Sequence, residues 1–419
     1  MLPNWTCELR DGMMYVMSGD LAARARGAWT RKRNRACAAV AASVAGVVAA
    51  CSDPGATAPG GPTADPAAFR WLLPKGFPTP IVPADNPMSD AKVALGRRLF
   101  YDTRLSGNQA FSCASCHKQE NAFADARNLP FGSTGQPHPR NSMSLPNVAY
   151  QVMLGWANPD ARRLEAQALI PMLGEMPVEL GLHGREAELL QRLRDVSLYR
   201  DLFGATFPGD REPVSLDNVT RALAAFERTF LSGDAPYDRF KAGAAGAVSA
   251  AAKRGEALFR SDRLACSQCH SGPLFTNAAR WVGSTSGDPE FLNNGLYNLD
   301  GAGGYPPPNT GLFAFTAKAA DMGRFKVPSL RNIDVTYPYM HDGTLATLED
   351  VIDHYAAGGR TLATGLNRGD GSRSPYKSPL VAGFMISAGE KADLVAFLRS
   401  LTDSTFLTSP ALSNPWIIR

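Results

Sequence analysis

The pattern C-x-x-C-H occurs twice in this chain, as Cys113-Ala-Ser-Cys116-His117 and as Cys266-Ser-Gln-Cys269-His270. In this pattern the two cysteines form thioether bonds to a porphyrin, and the adjacent histidine binds its iron as the proximal ligand. A thioredoxin-like redox pair does not need the trailing histidine twice, and a zinc ribbon normally clusters four ligands. We therefore expect two covalently bound c-type haems.

An internal repeat precedes the two motifs. Residues 96–105 and 255–264 share the pattern G-x-x-L-F-x-x-x-R-L. Around them the apolar spacing is helical, most clearly at 216–230 behind Ser215, at 185–203 and at 388–402, which Ser387 and Glu390 open as a capping box. We predict an all-α fold with two cytochrome c-like haem domains and long loops. The domains are residues 67–244 and 245–402, the Ala/Gly-rich stretch 241–248 marks their boundary, and residues 403–419 form an extended tail.

The N-terminal 50 residues have the composition of a secretory signal. Residues 24–35 are rich in Arg and Lys, and residues 36–50 (ACAAVAASVAGVVAA) are apolar or small. This apolar run is shorter than the roughly 20 residues that span a bilayer. The run ends in Val48-Ala49-Ala50-Cys51, which resembles a lipoprotein lipobox. We predict a lipoprotein-type signal peptide (1–50), a linker (51–66) and a periplasmic, lipid-anchored protein. A plain signal peptide with an incidental Cys51 is the alternative.

Charge and cysteine usage exclude some classes of protein. The first 50 residues hold seven of the 43 basic and three of the 39 acidic residues, which leaves 36 of each in the rest. Because the basic excess belongs to the leader, nothing indicates a nucleic-acid partner. Cys7 and Cys37 lie in the leader, so the region after Cys51 has cysteines only in the two haem motifs.

The C-terminal region carries a distinctive run of motifs. It reads Phe325-Lys-Val-Pro-Ser-Leu-Arg-Asn332, then Tyr337-Pro-Tyr-Met-His341-Asp-Gly343, then Leu348 to Tyr355. This region resembles the C-terminal domain of the bacterial dihaem cytochrome c peroxidases and their MauG-like relatives. In the peroxidases a Met fourteen residues after the motif histidine binds the second haem. The resemblance to MauG implies Tyr355 as that ligand.

The residues around Tyr355 predict a helix with the Tyr355 side chain on its inward-facing side. Thr347 can cap this helix, Gly358-Gly359 can end it, and Leu348, Val351, Ile352 and Tyr355 share one face. Without the resemblance, a core tyrosine is the simpler interpretation. A tyrosine oxygen lowers the haem potential and stabilises high-valent iron, whereas a thioether raises the potential.

The resemblance also implies residues for the peroxide-reactive haem. Trp156, Gln167 and Glu179 match the family's inter-haem Trp, its Gln and its Pro-Val-Glu positions. Glu179 would shuttle a proton between the peroxide oxygens. Glu175 is a competitor, because the spacing from Gln167 to Glu179 is slightly long, and an exposed helix-start acid is the plain alternative.

Two further assignments concern the region between the haems. His138 lies in a loop in which peroxidases carry a displaceable ligand, but its spacing favours a supporting or structural role. Asn141, Thr336 and Pro338 match the family's inter-haem calcium site, with backbone oxygens of the last two contributing.

The opening Trp71-Leu-Leu-Pro-Lys-Gly-Phe-Pro resembles the methanobactin-associated (MbnH-like) branch. That resemblance implies an enzyme that uses hydrogen peroxide, through Fe(IV) haems, to oxidise a tryptophan of an exported copper-binding partner. Leu264 stands where MauG has a relay Trp, which disfavours the methylamine dehydrogenase substrate, and Trp281 is a possible substitute. The alternatives are a peroxidase reduced by a small cytochrome or cupredoxin, and an electron-transfer dihaem cytochrome.

Overall fold

The computed structural model describes residues 69–285 and 287–417, and there the chain is mostly helical. The predicted signal peptide, the linker 51–66 and Cys51 lie outside the described residues. No helix of the described part has the length and apolar character needed to cross a membrane. The α-helices are α1 (Asp90–Phe100), α2 (Cys113–Cys116), α3 (Leu164–Leu173), α4 (Glu186–Asp195), α5 (Ser197–Thr206), α6 (Leu216–Glu227), α7 (Pro236–Lys241), α8 (Ala250–Phe259), α9 (Cys266–Cys269), α10 (Phe313–Thr316), α11 (Leu348–Ala356), α12 (Ala388–Arg399) and α13 (Ser404–Leu407).

Predicted caps begin three of these helices. The hydroxyls of Ser215, Thr347 and Ser387 each accept a hydrogen bond from the backbone N–H three residues later, at 3.3, 3.0 and 3.2 Å. The pattern at 185–203 predicts one helical segment, but the structure divides it into α4 and α5. Val196 has extended backbone angles between them, so the apolar face continues while the helix does not.

The sequence repeat is a repeated helix crossing. Gly96 of α1 lies against α6, where an added Cβ would be 1.9 Å from the carbonyl oxygen of Ala222. Gly255 of α8 lies against α12 in the same way, 2.0 Å from the oxygen of Asp393. Only a residue without a side chain allows helix axes this close. The repeated glycine therefore fixes the same close packing in both halves.

Each half has its own aromatic core. In the N-terminal half, the ring of Phe100 packs against Phe123, Phe226 and Phe230 with centroids 5.6–5.8 Å apart. In the C-terminal half, Phe259 packs 5.2 Å from Phe397. These cores follow the two predicted haem domains, whose boundaries remain a prediction.

Strands are brief where the structure describes them, which agrees with a mainly α fold. Strand β1 (Phe291–Leu292) pairs antiparallel with β2 (Phe325–Lys326), and β3 (Thr361–Leu362) pairs antiparallel with β4 (Gly369–Asp370).

The prediction of an extended tail at residues 403–419 is wrong. Residues 404–407 form α13, and Phe406 and Leu412 are buried in the N-terminal core. Two large apolar side chains gain more by burial there than by extension into solvent.

Candidate active site

The first haem motif lies on the wall of a cavity of about 820 Å³, which we call the N-terminal cavity. Cys113 and Cys116 line it at the two ends of α2, and His117 follows directly. The Nδ1 of His117 is 2.7 Å from the carbonyl oxygen of Phe123. Because a carbonyl only accepts, Nδ1 carries the proton and Nε2 is left with a free lone pair.

The second motif lies on the wall of a cavity of about 490 Å³, the C-terminal cavity. Cys266, Cys269 and His270 line it, and the His270 Nδ1 is 3.1 Å from the carbonyl oxygens of both Phe275 and Pro328. Burial lowers the pKa of His270 to about 4, so its imidazole is neutral at pH 7. Its Nε2 is therefore available to bind a metal.

These residues fit two covalent haems. The four motif cysteines form no disulfide, and each pair lines a cavity together with a histidine whose Nδ1 lies within hydrogen-bond distance of a backbone carbonyl oxygen. Cys113 and Cys116 with His117 would hold one haem, and Cys266 and Cys269 with His270 the other. Each group would supply a redox-active iron.

The residues predicted for peroxide chemistry meet in the N-terminal cavity. Trp156, Gln167 of α3 and Glu179 line it together with His117. Glu175, the competitor, lines the same cavity, but its side chain is 67% exposed, against 34% for Glu179. The more buried carboxylate is the better placed for proton transfer away from bulk water.

Tyr355 lines the C-terminal cavity. All four residues that were predicted to share one face of α11 line this cavity, which confirms that face. They are Leu348, Val351, Ile352 and Tyr355. Burial raises the pKa of Tyr355 to about 12, and the Asn294 side chain acts in the opposite direction. The phenol therefore stands in the same cavity as His270.

Trp156 lines both cavities. Its indole N–H donates to the carbonyl oxygen of Asn141 at 2.8 Å, and its own carbonyl accepts from the backbone N–H of Lys326 at 2.8 Å. Leu264 lines the C-terminal cavity, while Trp281 packs against the small buried cluster formed by Tyr150, Leu274 and Ala279. Trp156 is thus held by backbone contacts from two segments.

The three predicted calcium ligands also share one cavity wall. Asn141, Thr336 and Pro338 all line the C-terminal cavity. The Asn141 side-chain amide donates to the Arg127 carbonyl oxygen at 3.0 Å, and its backbone oxygen accepts from Trp156. Calcium binding at these residues remains a prediction.

Comparison with known proteins places this geometry in a family. Residues 90–246 match the model for di-haem cytochrome c peroxidase. The chain is 36% identical over 348 residues to the methylamine utilization protein MauG of Methylorubrum extorquens, covering 82% of this chain and 86% of MauG. The chain belongs to the dihaem cytochrome c peroxidase family that includes MauG. It is therefore a haem-dependent oxidoreductase of the peroxidase type, with two c-type haems.

Other members of the family agree. Cytochrome-c peroxidase IdrP1 of Denitromonas iodatirespirans is 34% identical over 352 residues, covering 80% of this chain and 86% of IdrP1. The crystal structure of a MauG-like protein associated with microbial copper homeostasis superposes with a TM-score of 0.82 at 46% identity. It covers 84% of this chain and 100% of that protein.

Two buried ionisable residues of this dihaem enzyme escaped the sequence analysis. Glu227 lines the N-terminal cavity, and burial raises its pKa to about 8. Lys326 lines the C-terminal cavity, donates to the Met153 carbonyl oxygen at 3.0 Å, and has its pKa lowered by burial to about 7. Glu227 lies four residues after Leu223 on the apolar face of α6, and Lys326 follows Phe325 in the motif. A charged residue within an apolar pattern was the feature of the sequence that could have identified both residues.

Proposed function

We propose that this enzyme uses hydrogen peroxide to oxidise a tryptophan of an exported copper-binding partner protein. Tyr355 carries the proposal, because it stands in the C-terminal cavity with His270, where the peroxidases that accept electrons from small cytochromes use a methionine. A tyrosinate oxygen lowers the haem potential, so this haem suits storage of an oxidising equivalent better than delivery of electrons to peroxide. The copper-associated structural relative supports the class of partner.

The side chains of the N-terminal cavity would activate the peroxide. The haem that His117 would hold would supply a redox-active iron for cleavage of the peroxide. Glu179 would take a proton from one peroxide oxygen and return it to the other, so that water is the leaving group. Gln167 would hydrogen-bond the peroxide. Trp156 borders both cavities and conducts electrons between them.

Three further assignments belong to this proposal. Asn141, Thr336 and Pro338 bind calcium between the haems, since amide and carbonyl oxygens are ligands that suit this ion. The mature protein is periplasmic, and acylation of Cys51 anchors it to the membrane. Cys51→Ala should release the protein into the soluble fraction, and a wild-type protein without acyl groups would refute the anchor.

Replacement of Tyr355 tests the proposed function. A periplasmic extract lacking the enzyme is treated with peroxide and either wild type or Tyr355→Met, and oxidised tryptophans are mapped by peptide mass spectrometry. Tyr355→Met should lose partner oxidation by about tenfold or more while its stopped-flow reaction with peroxide is retained. Tyr339→Phe, at a second tyrosine of the same cavity, is the control and should keep both activities.

A second function is favoured by relatives that are named cytochrome-c peroxidases. If Tyr355→Met oxidises partner tryptophans at the wild-type rate, tyrosine ligation is not needed for this activity. If the wild type oxidises no partner tryptophan, the peroxidase function is the better one. In that case a reduced small cytochrome or cupredoxin should be consumed with peroxide by the wild type.

A further inference from the structure

We propose that His138 is the positioning residue for Glu179: it orients the carboxylate at the N-terminal cavity and delivers protons to it from solvent. The proposal rests on the role of Glu179 in the proposed function and goes beyond it. His138 Nε2 lies 3.4 Å from Glu179 Oε1, and both side chains line the cavity. Their side chains are 26% and 34% exposed, so this pair is in contact with both solvent and cavity.

The loop that carries His138 is tied to the segment that carries Glu179. The Ser133 backbone N–H donates to the Glu179 carbonyl oxygen at 2.6 Å, and the Val178 N–H donates to Gln136 Oε1 at 3.3 Å. The His138 backbone N–H donates to the Pro130 carbonyl oxygen at 2.8 Å and closes the loop. These hydrogen bonds fix the position of the His138 imidazole relative to the Glu179 carboxylate.

The surroundings of His138 Nδ1 accommodate both tautomers. The Arg140 backbone N–H lies 3.1 Å from Nδ1 and donates to it when the proton is on Nε2. The Arg140 carbonyl oxygen lies 3.0 Å from the same nitrogen and accepts from it when Nδ1 is protonated. The imidazole can therefore gain or lose its Nε2 proton, facing Glu179, without losing its backbone partner.

The reduction of peroxide needs a route by which protons reach Glu179 from solvent. Reduction of one peroxide to two waters takes two electrons, which the partner supplies, and two protons. Glu179 conserves protons when it moves one between the peroxide oxygens, so the two consumed protons must come from outside. The His138 imidazolium transfers its Nε2 proton to the Glu179 carboxylate, becomes the neutral Nδ1–H tautomer, and takes a new proton from water.

A second, more exposed His–Glu pair provides a matched control. His183 Nε2 lies 3.8 Å from Glu175 Oε2, and these side chains are 61% and 67% exposed. Besides the motif cysteines and these two pairs, the charged or titratable groups that line the cavity are His117, Arg140 and Glu227, and Lys118, Asp125 and Arg127 act on Cys116 of its wall. All of them are unchanged in both variants, so a difference between His138→Gln and His183→Gln reports on the inner pair alone.

The experiment measures steady-state turnover of peroxide by the holoenzyme between pH 5 and 9, with ascorbate as electron donor, because the two protons are consumed only when peroxide is fully reduced to water. Glutamine in place of His138 cannot carry a proton to the Glu179 carboxylate, so the pH–rate profile of His138→Gln should differ from that of the wild type. At pH 7 its turnover should fall about tenfold. His183→Gln should follow the wild-type profile. A wild-type profile in His138→Gln, or an equal shift in His183→Gln, overturns the proposal.

A double-mutant cycle separates the contact from catalysis. The effects of His138→Gln and Glu179→Gln on the unfolding free energy should be non-additive in the double variant, because the two side chains lie 3.4 Å apart. Additive effects contradict the contact. If the cycle and profile behave as expected but no partner tryptophan is oxidised, the proposed function fails while the role of His138 stands.

Discussion

At the scale of single residues, the cavities are lined by two ionisable groups, Glu227 and Lys326, whose charged forms are destabilised by burial. The pKa of Glu227 is raised to about 8 and that of Lys326 is lowered to about 7, and desolvation is the first cause in both cases. Both side chains line the cavities of the haem motifs. Because a charge beside a haem changes its potential, the protonation states of Glu227 and Lys326 would contribute to the potentials of the two haems.

Glu227 makes the stability of the enzyme depend on pH. Its pKa is raised in the folded state, so between about pH 4.5 and 8 the folded chain keeps a proton that the unfolded chain releases. The unfolding free energy should therefore fall as pH rises, by up to about 1.4 kcal/mol per pH unit from this group. Glu227→Gln removes this pH dependence. In urea unfolding between pH 5 and 8, the unfolding free energy of the variant should therefore increase relative to that of the wild type as the pH rises. A constant difference would contradict a raised pKa.

At the scale of elements, local chemistry predicted more than long-range contacts did. The caps at Ser215, Thr347 and Ser387 and the inward face of Tyr355 could be predicted, because each depends on residues within one or two helical turns. The break at Val196 and the return of the tail depend on packing partners distant in sequence. The contact between His138 and Glu179, 41 positions apart in the printed sequence, has the same origin.

The glycine crossings give a prediction at this scale. Gly96→Ala and Gly255→Ala each force a methyl group against a backbone carbonyl and should lower the unfolding free energy by about 1–3 kcal/mol. Gly389, in α12, has open space at its Cβ position, and Gly389→Ala should be neutral or raise stability by up to about 1 kcal/mol. Thermal and chemical unfolding followed by circular dichroism measures all three. Equal effects would mean that helix propensity, and not the crossing, determines the outcome.

At the scale of the whole described molecule, the two repeated halves meet at Trp156 and along the C-terminal tail, and also through backbone bonds such as that from the Asn141 N–H to the His341 carbonyl oxygen at 2.8 Å. Trp156 borders both cavities, and the tail beyond α12 crosses back to the N-terminal core. There the Phe406 ring packs 5.7 Å from Phe123, and the Phe406 carbonyl oxygen accepts from the Gln119 side chain at 3.2 Å. The backbone carbonyl oxygen of Phe123 in turn accepts the hydrogen bond from His117 Nδ1. The C-terminal tail therefore supports the proximal histidine of the N-terminal cavity.

Phe406→Ala tests this support. Truncation of a ring that is 3% exposed should lower the unfolding free energy by about 3–5 kcal/mol. It should also loosen Phe123, weaken the hydrogen bond from His117 and change the electron paramagnetic resonance signal of the ferric haem that reacts with peroxide. Leu401→Ala is the control, because Leu401 is fully buried in the C-terminal core. It should destabilise the protein by about 2–5 kcal/mol without altering that signal. A signal that changes equally in both variants would trace to general loosening of the fold, and the tail would then have no specific influence on His117.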